Sequence, residues 1–460
     1  MGTRVCQGRH QWVRIGPVSS LNSIGAFLFV LGVLVFVHEL GHFLAARRLG
    51  VRVLTFSLGF GPKILKTKRG DTEYCISIIP LGGYVKMAGD SPDDPNRTGS
   101  PDEFLSKTKW ERFQVLIMGP VMNLVLAVVV MAVVLAQGAE VPVYEDQPPV
   151  VGAVEPESAA ERAGIQAGDL ILTVGGDQVD TWEDLFIAVG IRPDRDVPVT
   201  LRRAGQTQSL TVRPVIEPRY ESGSIGVLPD VDPLVSSVIA GEPAERAGLK
   251  AGDVVLAVDG VRMVTQANLI KKISGSGGRE VELTIRRDGQ RLQIRATPKQ
   301  QGERALLGVF LKEPTRSFTP TVFEAIALSV EKNIEFSGLI FRTLGGLFIG
   351  ETSPRQLMGP VAIAQLAGES AGVSWIALFS LMASISLNLG LLNLMPIPVL
   401  DGGHILIMAL EGVARRDFSY AVKEKMLMAG FAVLMMLMVT VIYNDLTRVA
   451  WLERLMPWRN

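Results

Sequence analysis

Long apolar runs, interrupted by few polar residues, are the strongest pattern in this 460-residue chain. A helix of about 20 apolar residues crosses the ~30 Å hydrocarbon layer of a membrane. Four runs come close to that length or exceed it: residues 24–46, 115–136, 375–395 and 426–443. The pattern predicts a polytopic α-helical membrane protein with about four transmembrane helices, so both termini lie on the same side of the membrane.

Composition agrees with this prediction and narrows the function. Hydrophobic residues make up 48% of the chain and charged residues only 20%, against roughly 25% in soluble domains. Lys+Arg and Asp+Glu balance at 46 each, which disfavours a nucleic-acid partner. Two cysteines cannot build a disulfide framework or a cysteine-rich zinc site. With only four histidines, the position of each one is informative.

The charges between the apolar runs predict the topology. Basic residues cluster after the first run, as at Arg47 and Arg48, and between the third and fourth runs, as at Arg415 and Arg416. Because cytoplasmic loops carry an excess of Lys and Arg, both loops are expected in the cytoplasm. Residues 139–370 and both termini are then expected on the outer, periplasmic side.

The outer segment contains an internal repeat. Residues 160–172 (AERAGIQAGDLIL) and 244–256 (AERAGLKAGDVVL) lie 84 positions apart and are identical at nine of thirteen positions, which indicates a duplication. Around each copy the pattern predicts a strand, a short helix, a second strand, a further helix and paired strands. These elements are expected at 150–154, 170–174, 181–189 and 197–203 in the first copy and at 235–240, 254–258, 265–273 and 280–287 in the second.

The repeat resembles the circularly permuted PDZ domains of bacterial envelope proteases. That resemblance implies two tandem extramembrane PDZ-like α/β domains, each closed by a strand that cradles a peptide carboxylate. The glycines expected at these cradles are Gly226 and Gly308. A domain pair that binds no peptide and acts only as a rigid spacer is the alternative.

A metal-binding motif lies inside the first apolar run. His38-Glu39-Leu40-Gly41-His42 is an HExxH sequence on a predicted helix. Residues four apart leave the same helix face, so both imidazoles can bind one zinc ion, while Glu39 can act as the catalytic base. Placing three polar side chains inside an apolar span costs free energy. Their presence in this spacing therefore indicates a shared function. An interhelical hydrogen-bonded patch is the alternative.

The motif supplies two ligands, and catalytic zinc usually has a third from the protein. No histidine follows at the spacing of an extended HExxH motif. Asp401 is the remaining carboxylate in an apolar segment, just after Pro396 and Pro398, which forbid a regular helix at that point. A turn or cap role is the alternative for Asp401, but beside an incomplete zinc site the ligand role is favoured.

HELGH in the first run, together with NLMPIPVLDG at 393–402, resembles the paired signature of the site-2 protease family of intramembrane zinc metalloproteases. The resemblance covers nearly the whole chain from about residue 24. It implies that His38, His42 and Asp401 bind one zinc ion per chain and that Glu39 is the catalytic base. It further implies that Asn393 and Asn388 position the substrate, with an interhelical hydrogen bond as the alternative for each.

The resemblance also implies a membrane-associated β-hairpin after the first span. Residues 73–79 are rich in strand formers, residues 82–83 offer a turn, and residues 84–87 can return. Such a hairpin can hold a substrate in extended form by edge pairing. Residues 336–349 are apolar but broken by a charge and glycines, which predicts an interfacial or surface helix.

These expectations divide the chain into six parts. They are an N-terminal extension (1–21), a first membrane part with the hairpin (22–138), PDZ-like domains at 139–230 and 231–314, a periplasmic linker with amphipathic helices (315–372) and a second membrane part (373–460).

The predicted function is intramembrane proteolysis in the bacterial inner membrane, with the zinc site towards the cytoplasm. The resemblance implies a single-span substrate of the anti-sigma-factor type, already cut once outside, and also remnant signal peptides. Cleavage would then release a transcription regulator in an envelope stress response. A non-catalytic PDZ sensor or scaffold and an ion transporter are the alternatives, and no nucleic-acid partner is expected.

Overall fold

The structure is a computed structural model, and it describes residues 20–91, 98–217, 222–302, 304–350, 352 and 357–448. Nearly all of the predicted N-terminal extension therefore lies outside the described residues.

The helices of the described residues run in chain order as follows: α1 Ser20–Arg48, α2 Lys109–Ala136, α3 Ala159–Ala163, α4 Trp182–Gly190, α5 Pro243–Arg246, α6 Gln266–Ser274, α7 Val322–Phe348, α8 Pro360–Val373, α9 Trp375–Leu394, α10 Asp401–Ala414 and α11 Tyr420–Arg448. The strands are β1 Val53–Arg69, β2 Thr72–Met87, β3 Ala139–Pro142, β4 Val151–Val154, β5 Leu170–Val174, β6 Asp177–Gln178, β7 Val197–Arg203, β8 Gln206–Val212, β9 Val215–Ile216, β10 Gly223–Ser224, β11 Val227–Pro229, β12 Leu234–Val238, β13 Val254–Val258, β14 Val261–Arg262, β15 Val281–Arg287, β16 Gln290–Ala296, β17 Lys299–Gln301, β18 Arg304–Leu306, β19 Val309–Lys312 and β20 Thr315–Phe318.

The chain forms two compact units. The helical unit takes the residues up to Gln137, Thr319–Gly345 and the residues from Ser353 onward. The sheet-rich unit takes Gly138–Phe318 and Gly346–Thr352.

Four helices of the described residues are long and apolar enough to cross a membrane: Asn22–Arg48, Lys109–Ala136, Trp375–Leu394 and Ala421–Leu446. The prediction of four spans is confirmed. The second helix begins six residues before the predicted span because Thr108 and Glu111 form a capping box, in which each side chain binds the other's backbone N–H. Such polar first turns extend a helix beyond its apolar stretch.

The helix predicted at 336–349 forms the second half of α7, and one of its faces packs against the candidate membrane helices. Phe336 and Ile340 lie against Ala127 of α2 and against leucines of α9. One turn earlier in α7, the Ser329 hydroxyl donates a hydrogen bond to the Val128 carbonyl at 2.7 Å. The opposite side of this segment stays open, with Phe341 54% exposed, and α7 is not among the four candidate spans, so its assignment as an interfacial or surface helix stays a prediction.

The β-hairpin exists, but its strands pair differently from the prediction. The sequence suggested that residues 73–79 pair with 84–87 across a turn at 82–83. In the structure β1 pairs with β2, and the turn between them lies at residues 70–71. The predicted pairing was therefore wrong.

The observed pairing differs from the predicted one because another strand segment lies between the two predicted partners. Ser57 pairs with Tyr84 on one side and with Cys75 on the other, so residues 53–58 separate the two segments that were expected to meet. Val53 and Phe56 are buried in a core with α1 and α2 residues, which fixes this inserted segment against the helices.

The sheet-rich unit contains the two repeats as two antiparallel sheets. One has the strand order β6-β5-β7-β8, and the other β16-β15-β13-β12-β19 with β14 paired to β13. The strand predicted at 197–203 is observed with the same bounds as β7. The helices predicted from 181 and 265 begin one residue later, because Thr181 and Thr265 are N-caps whose hydroxyls accept backbone N–H bonds.

Each repeat is stabilised by the same buried ion pair. The Arg203 guanidinium binds both oxygens of Asp169 at 2.6 Å, and Arg287 binds Asp253 at 2.6 and 2.7 Å. Burial alone would raise the pKa of Asp169, but the Arg203 guanidinium and the Gln166 N–H outweigh it and lower that pKa. Identical geometry in both copies supports the duplication inferred from sequence.

Candidate metal centre

The helix α1 places the two histidines of the HExxH motif on one face. His38 and His42 are both buried, and their Nε2 atoms lie 3.2 Å apart. A spacing of four residues in an α-helix produces this arrangement without further constraint.

Asp401 joins them from a distant part of the chain. Its Oδ2 atom lies 3.2 Å from His38 Nε2 and 3.5 Å from His42 Nε2. Two ligands held about 2.0–2.1 Å from a tetrahedral zinc ion lie about 3.3–3.5 Å from each other. The three ligand atoms therefore fit one zinc ion, and their donor set of two imidazoles and one carboxylate is that of a catalytic site.

Two glycines let α1 and α2 approach closely beside this cluster. A Cβ on Gly41 would lie 2.2 Å from the Met118 carbonyl oxygen, and one on Gly119 would lie 2.3 Å from His42 Nε2. Small residues at helix contacts permit such approach inside membranes. Any side chain at position 119 would occupy the space beside the imidazoles.

A break between α9 and α10 sets the position of Asp401. The helix α9 ends before Pro396 and Pro398, as the prolines predict, and Asp401 is the first residue of α10. A carboxylate is favourable in the first turn of a helix because of the helix dipole. Val399, two residues earlier, has φ +94°, a strained conformation for a β-branched residue. Backbone strain of this kind clusters at functional sites.

Hydrogen bonds orient both imidazoles. His42 Nδ1 lies 2.8 Å from the Val115 carbonyl oxygen, so Nδ1 carries the proton and Nε2 is free to bind a metal. His38 Nδ1 lies 3.2 Å from Asn123 Nδ2, while the buried Asn123 Oδ1 has no hydrogen-bond partner among the described residues. Rotating this amide by 180° turns Oδ1 towards His38, where it accepts the Nδ1 proton and frees Nε2. Asn123 thus orients His38 as the Val115 carbonyl orients His42, a role that the sequence did not assign to Asn123.

Glu39 lies beside both the metal cluster and the β-hairpin. A Cβ added to Gly83 of β2 would lie 3.0 Å from Glu39 Cγ and 2.8 Å from Val35 Cγ1. The strand therefore passes directly over the catalytic-base candidate.

The other predicted site residues are placed differently. Asn388 is exposed and donates to the Ser384 carbonyl of its own helix at 3.0 Å, so the alternative of an interhelical bond does not hold for it. Asn393 is half-buried in the last turn of α9. The substrate-positioning role of both stays a prediction.

Gly226 and Gly308 precede the closing strands β11 and β19. Both have positive φ, and a Cβ on either would clash at 2.3–2.4 Å with Ser158 or Glu242, the residues at the N-caps of α3 and α5. These contacts explain the glycines by packing, and peptide binding there stays a prediction.

Apolar spans joined by a His-His-Asp cluster with a neighbouring glutamate define the class of membrane metalloproteases. Residues 26–437 match the family described as Peptidase family M50, and the chain belongs to that family. The predictions of a site-2 protease resemblance and of a membrane zinc metalloprotease are confirmed.

Similar proteins cover 93–94% of this chain. A Neisseria meningitidis protein whose name places it among the zinc metalloproteases is 33% identical over 93% of this chain and 100% of its own length. The regulator of sigma-E protease RseP of Salmonella typhimurium is 33% identical, and the regulator of sigma E protease of Haemophilus influenzae 32%, each over 94% of this chain and 100% of the relative. A solved PDZ domain of an SdrC-like protein from Listeria monocytogenes covers 18% of this chain and 90% of its own at 23% identity, and its TM-score of 0.17 establishes no shared fold.

Replacing Asn123 by alanine is expected to weaken zinc binding about 10–100-fold, as usual for lost hydrogen-bond partners of metal ligands. Competition with a zinc-selective chelator measures this affinity, and excess zinc should restore part of the activity. Asn123→Asp, which keeps an acceptor, should bind zinc more tightly than Asn123→Ala. Ser386→Ala is the matched control, because the Ser386 hydroxyl bonds only the Asn123 backbone oxygen. Equal zinc affinity in Asn123→Ala and Ser386→Ala would refute the role of the amide.

Proposed function

We propose that the protein is an intramembrane zinc endopeptidase that cleaves the transmembrane segments of single-span proteins. In this proposal His38, His42 and Asp401 hold one zinc ion per chain, and Glu39 is the catalytic base. The observation that carries the proposal is a triangle of three ligand atoms, His38 Nε2, His42 Nε2 and Asp401 Oδ2, which lie 3.2–3.5 Å from one another. Asp401 reaches this triangle from more than 350 positions away from either histidine in the sequence.

The residues around the cluster suit hydrolysis of a peptide bond. Zinc, when bound, supplies Lewis-acid polarisation of a carbonyl and makes water more acidic. Glu39 follows His38 in α1 and can take a proton from the attacking water and return it to the leaving nitrogen. Because the amide of Asn123 and the carbonyl of Val115 fix the imidazoles, Glu39 acts in a preorganised site.

The hairpin β1–β2 offers a means of presenting the substrate. A peptide bond in an intact helix is shielded by its hydrogen bonds, so a substrate helix must unwind before cleavage. Gly83 brings β2 against Glu39, and a strand edge there can pair with an extended substrate segment beside the base. The half-buried Asn393 is proposed as a further substrate-positioning group and Asn388, which is exposed, as a second.

The names of the relatives suggest the biological substrate. The Salmonella and Haemophilus proteins carry the name regulator of sigma-E protease. By analogy, the substrate here is of the anti-sigma-factor type, cut after a first periplasmic cleavage, and remnant signal peptides are further substrates. The chain is then a multi-pass protein of the bacterial inner membrane. The loop charges favour cytoplasmic placement of the zinc-site side and periplasmic placement of the PDZ-like domains.

The PDZ-like domains are proposed to restrict substrates before they reach the membrane. Their division at residue 230 separates two hydrophobic cores, one around Trp182 and one around Leu283. They either capture a newly formed C-terminus, near Gly226 and Gly308, or exclude uncut substrates by size.

Metal removal tests the proposed activity. Dialysis of the full-length protein against a chelator should abolish cleavage of a single-span test substrate in detergent, and stoichiometric zinc should restore it. Magnesium, which prefers oxygen ligands, is the control and should not restore cleavage. Cleavage that persists in metal-free protein would contradict the proposal, as would failure of the zinc-loaded protein to cut any of several single-span substrates.

Gly83→Val is expected to lower cleavage at least tenfold while zinc content stays unchanged. The valine side chain would push against Glu39 and Val35 and displace β2, without touching the metal ligands. The rate of cleavage at saturating enzyme, together with zinc analysis, measures the effect. Gly70→Asn is the control, because Gly70 lies in the hairpin turn with nothing within 4 Å of an added Cβ, and asparagine tolerates its φ of +65°. Full activity in Gly83→Val would exclude the close passage of β2 over Glu39.

A further inference from the structure

A cleft separate from the metal cluster opens between α10, α11 and the start of α2. Its volume is about 710 Å³, within the range of ligand sites. Most of its wall is apolar and comes from α10 and α11, including Ile407, Leu427, Met428 and Phe431. Met428 and Phe431 are more than half exposed, although each faces this cleft. The wall therefore suits a hydrocarbon chain.

One end of the cleft carries an arginine with one unsatisfied hydrogen-bond donor. The Nε atom of Arg112 is buried and has no hydrogen-bond partner in the part of the chain that the structure describes. A buried donor without a partner costs free energy, and a guanidinium more than a neutral group. Arginine binds phosphate oxygens strongly through charge-assisted hydrogen bonds, so the orphaned Nε indicates an anionic ligand.

The buried acid nearest to this end is already neutralised. Glu411, 1% exposed, accepts a bond from Lys423 at 2.7 Å and from the Phe418 N–H, and Lys109 lies 3.5 Å away. Burial would raise the pKa of Glu411, but the Lys423 ammonium outweighs it and keeps Glu411 ionised. Glu411 therefore forms its own ion pairs rather than one with Arg112.

Asp90 and Glu424, the two other acids that line the cleft, do not supply a partner for Arg112 Nε either. Asp90 accepts the Met87 N–H at 3.1 Å, and Glu424 is exposed to solvent. Neither acid forms an ion pair with Arg112 among the described residues, and Asp417, which interacts with Arg112 electrostatically, is exposed and pairs with Lys109.

The placement of the cleft matches the headgroup level of a membrane. Arg112 lies in the first turn of α2 and Lys423 in the first turn of α11, both at the ends of candidate spans. Lys109 and Lys423 meet at Glu411, so both span ends lie at the same face. Basic pockets between membrane helices at such a level bind anionic lipid headgroups.

We propose that this cleft binds one anionic phospholipid, with its phosphate on Arg112 and an acyl chain along the wall formed by α10 and α11. The inner end of the cleft is lined by Val399 and His404, which flank Asp401 in sequence. A bound lipid therefore packs against the segment that carries the Asp401 carboxylate. The lipid composition of the membrane then affects the position of the segment that carries Asp401.

Native mass spectrometry of the full-length protein tests this, after incubation with vesicles of phosphatidylglycerol or of phosphatidylcholine. One phosphatidylglycerol per chain should be retained in preference to phosphatidylcholine. Arg112→Gln should weaken retention about tenfold, the usual effect of losing one charge-assisted contact. Arg48→Gln is the matched control, because Arg48 is an exposed arginine in the last turn of α1 that does not line the cleft.

Leu427→Trp serves as a second variant, because it fills the apolar wall while leaving Arg112 intact. It should also expel the lipid, with zinc content and helical circular dichroism unchanged. Unaltered phosphatidylglycerol retention in both variants would overturn the proposal. Displacement of the lipid by millimolar inorganic phosphate would assign the site to a free anion instead. Displacement by a single-span peptide added to the Glu39→Gln variant would assign it to substrate. None of these readouts requires proteolysis, so they are independent of the proposed activity.

Discussion

Replacing Glu39 by glutamine should reduce cleavage of a single-span substrate by about 10²–10⁴-fold, the usual contribution of a general base. Glutamine has nearly the same shape but cannot accept the proton of the attacking water. The three ligand atoms belong to other residues, so zinc content should stay at the wild-type value. Single-turnover cleavage in detergent, with metal analysis of the same sample, measures both effects.

The matched control for this change is Glu331→Gln, which replaces an exposed glutamate of α7 by the same amide. It should leave cleavage unchanged. If Glu39→Gln cleaved as fast as Glu331→Gln, Glu39 would not be the base. A parallel loss of zinc in Glu39→Gln would instead mean that Glu39 is a ligand.

Replacing Asp401 by asparagine should remove both zinc and activity. The carboxylate is the only anionic member of the cluster and lies 3.2 and 3.5 Å from the two imidazole nitrogens. Loss of a direct ligand should weaken zinc binding by more than the about 10–100-fold typical of its hydrogen-bond partners. Chelator competition on the purified variant gives the affinity.

Asp417→Asn provides the comparison, because Asp417 is an exposed aspartate that binds Lys109 just after α10. Its zinc affinity should match that of the wild type. Unchanged affinity in Asp401→Asn would leave the cluster with two histidines and would remove Asp401 from the site.

The positions of the three candidate ligands follow from features that are local to each segment of the sequence. The HExxH spacing places His38 and His42 on one face regardless of the rest of the fold. The prolines before Asp401 mark a break that no regular helix allows. Their meeting was predicted from the missing third ligand of the HExxH motif and from the scarcity of carboxylates in apolar segments, and the family resemblance agreed with it.

The sequence did not predict side-chain contacts between residues that no local sequence pattern connects. Asn123 is one example, since an asparagine in an apolar helix gives no sign of which side chain it faces. The buried pairs of Asp169 with Arg203 and of Asp253 with Arg287 each join residues 34 positions apart, beyond the reach of periodicity. These contacts depend on tertiary packing, which the pattern of apolar residues does not specify.

Strand pairing was the other error. Residues 73–79 and 84–87 have the composition of strands, and the glycines between them resemble a hairpin turn. Composition does not show which strand is inserted between two others, and residues 53–58 take that place in the sheet. The side-chain alternation is the same for either pairing, so the sequence alone does not decide the register.

The most direct test is zinc K-edge X-ray absorption on the purified full-length protein. The spectrum should fit two imidazole nitrogens at about 2.0–2.1 Å and a carboxylate oxygen at about 2.0–2.2 Å. Purified Asp401→Asn, which should have lost its zinc, should give no zinc absorption edge. A spectrum with sulfur at about 2.3 Å, or with a single imidazole, would contradict the assignment of His38, His42 and Asp401 to one zinc ion.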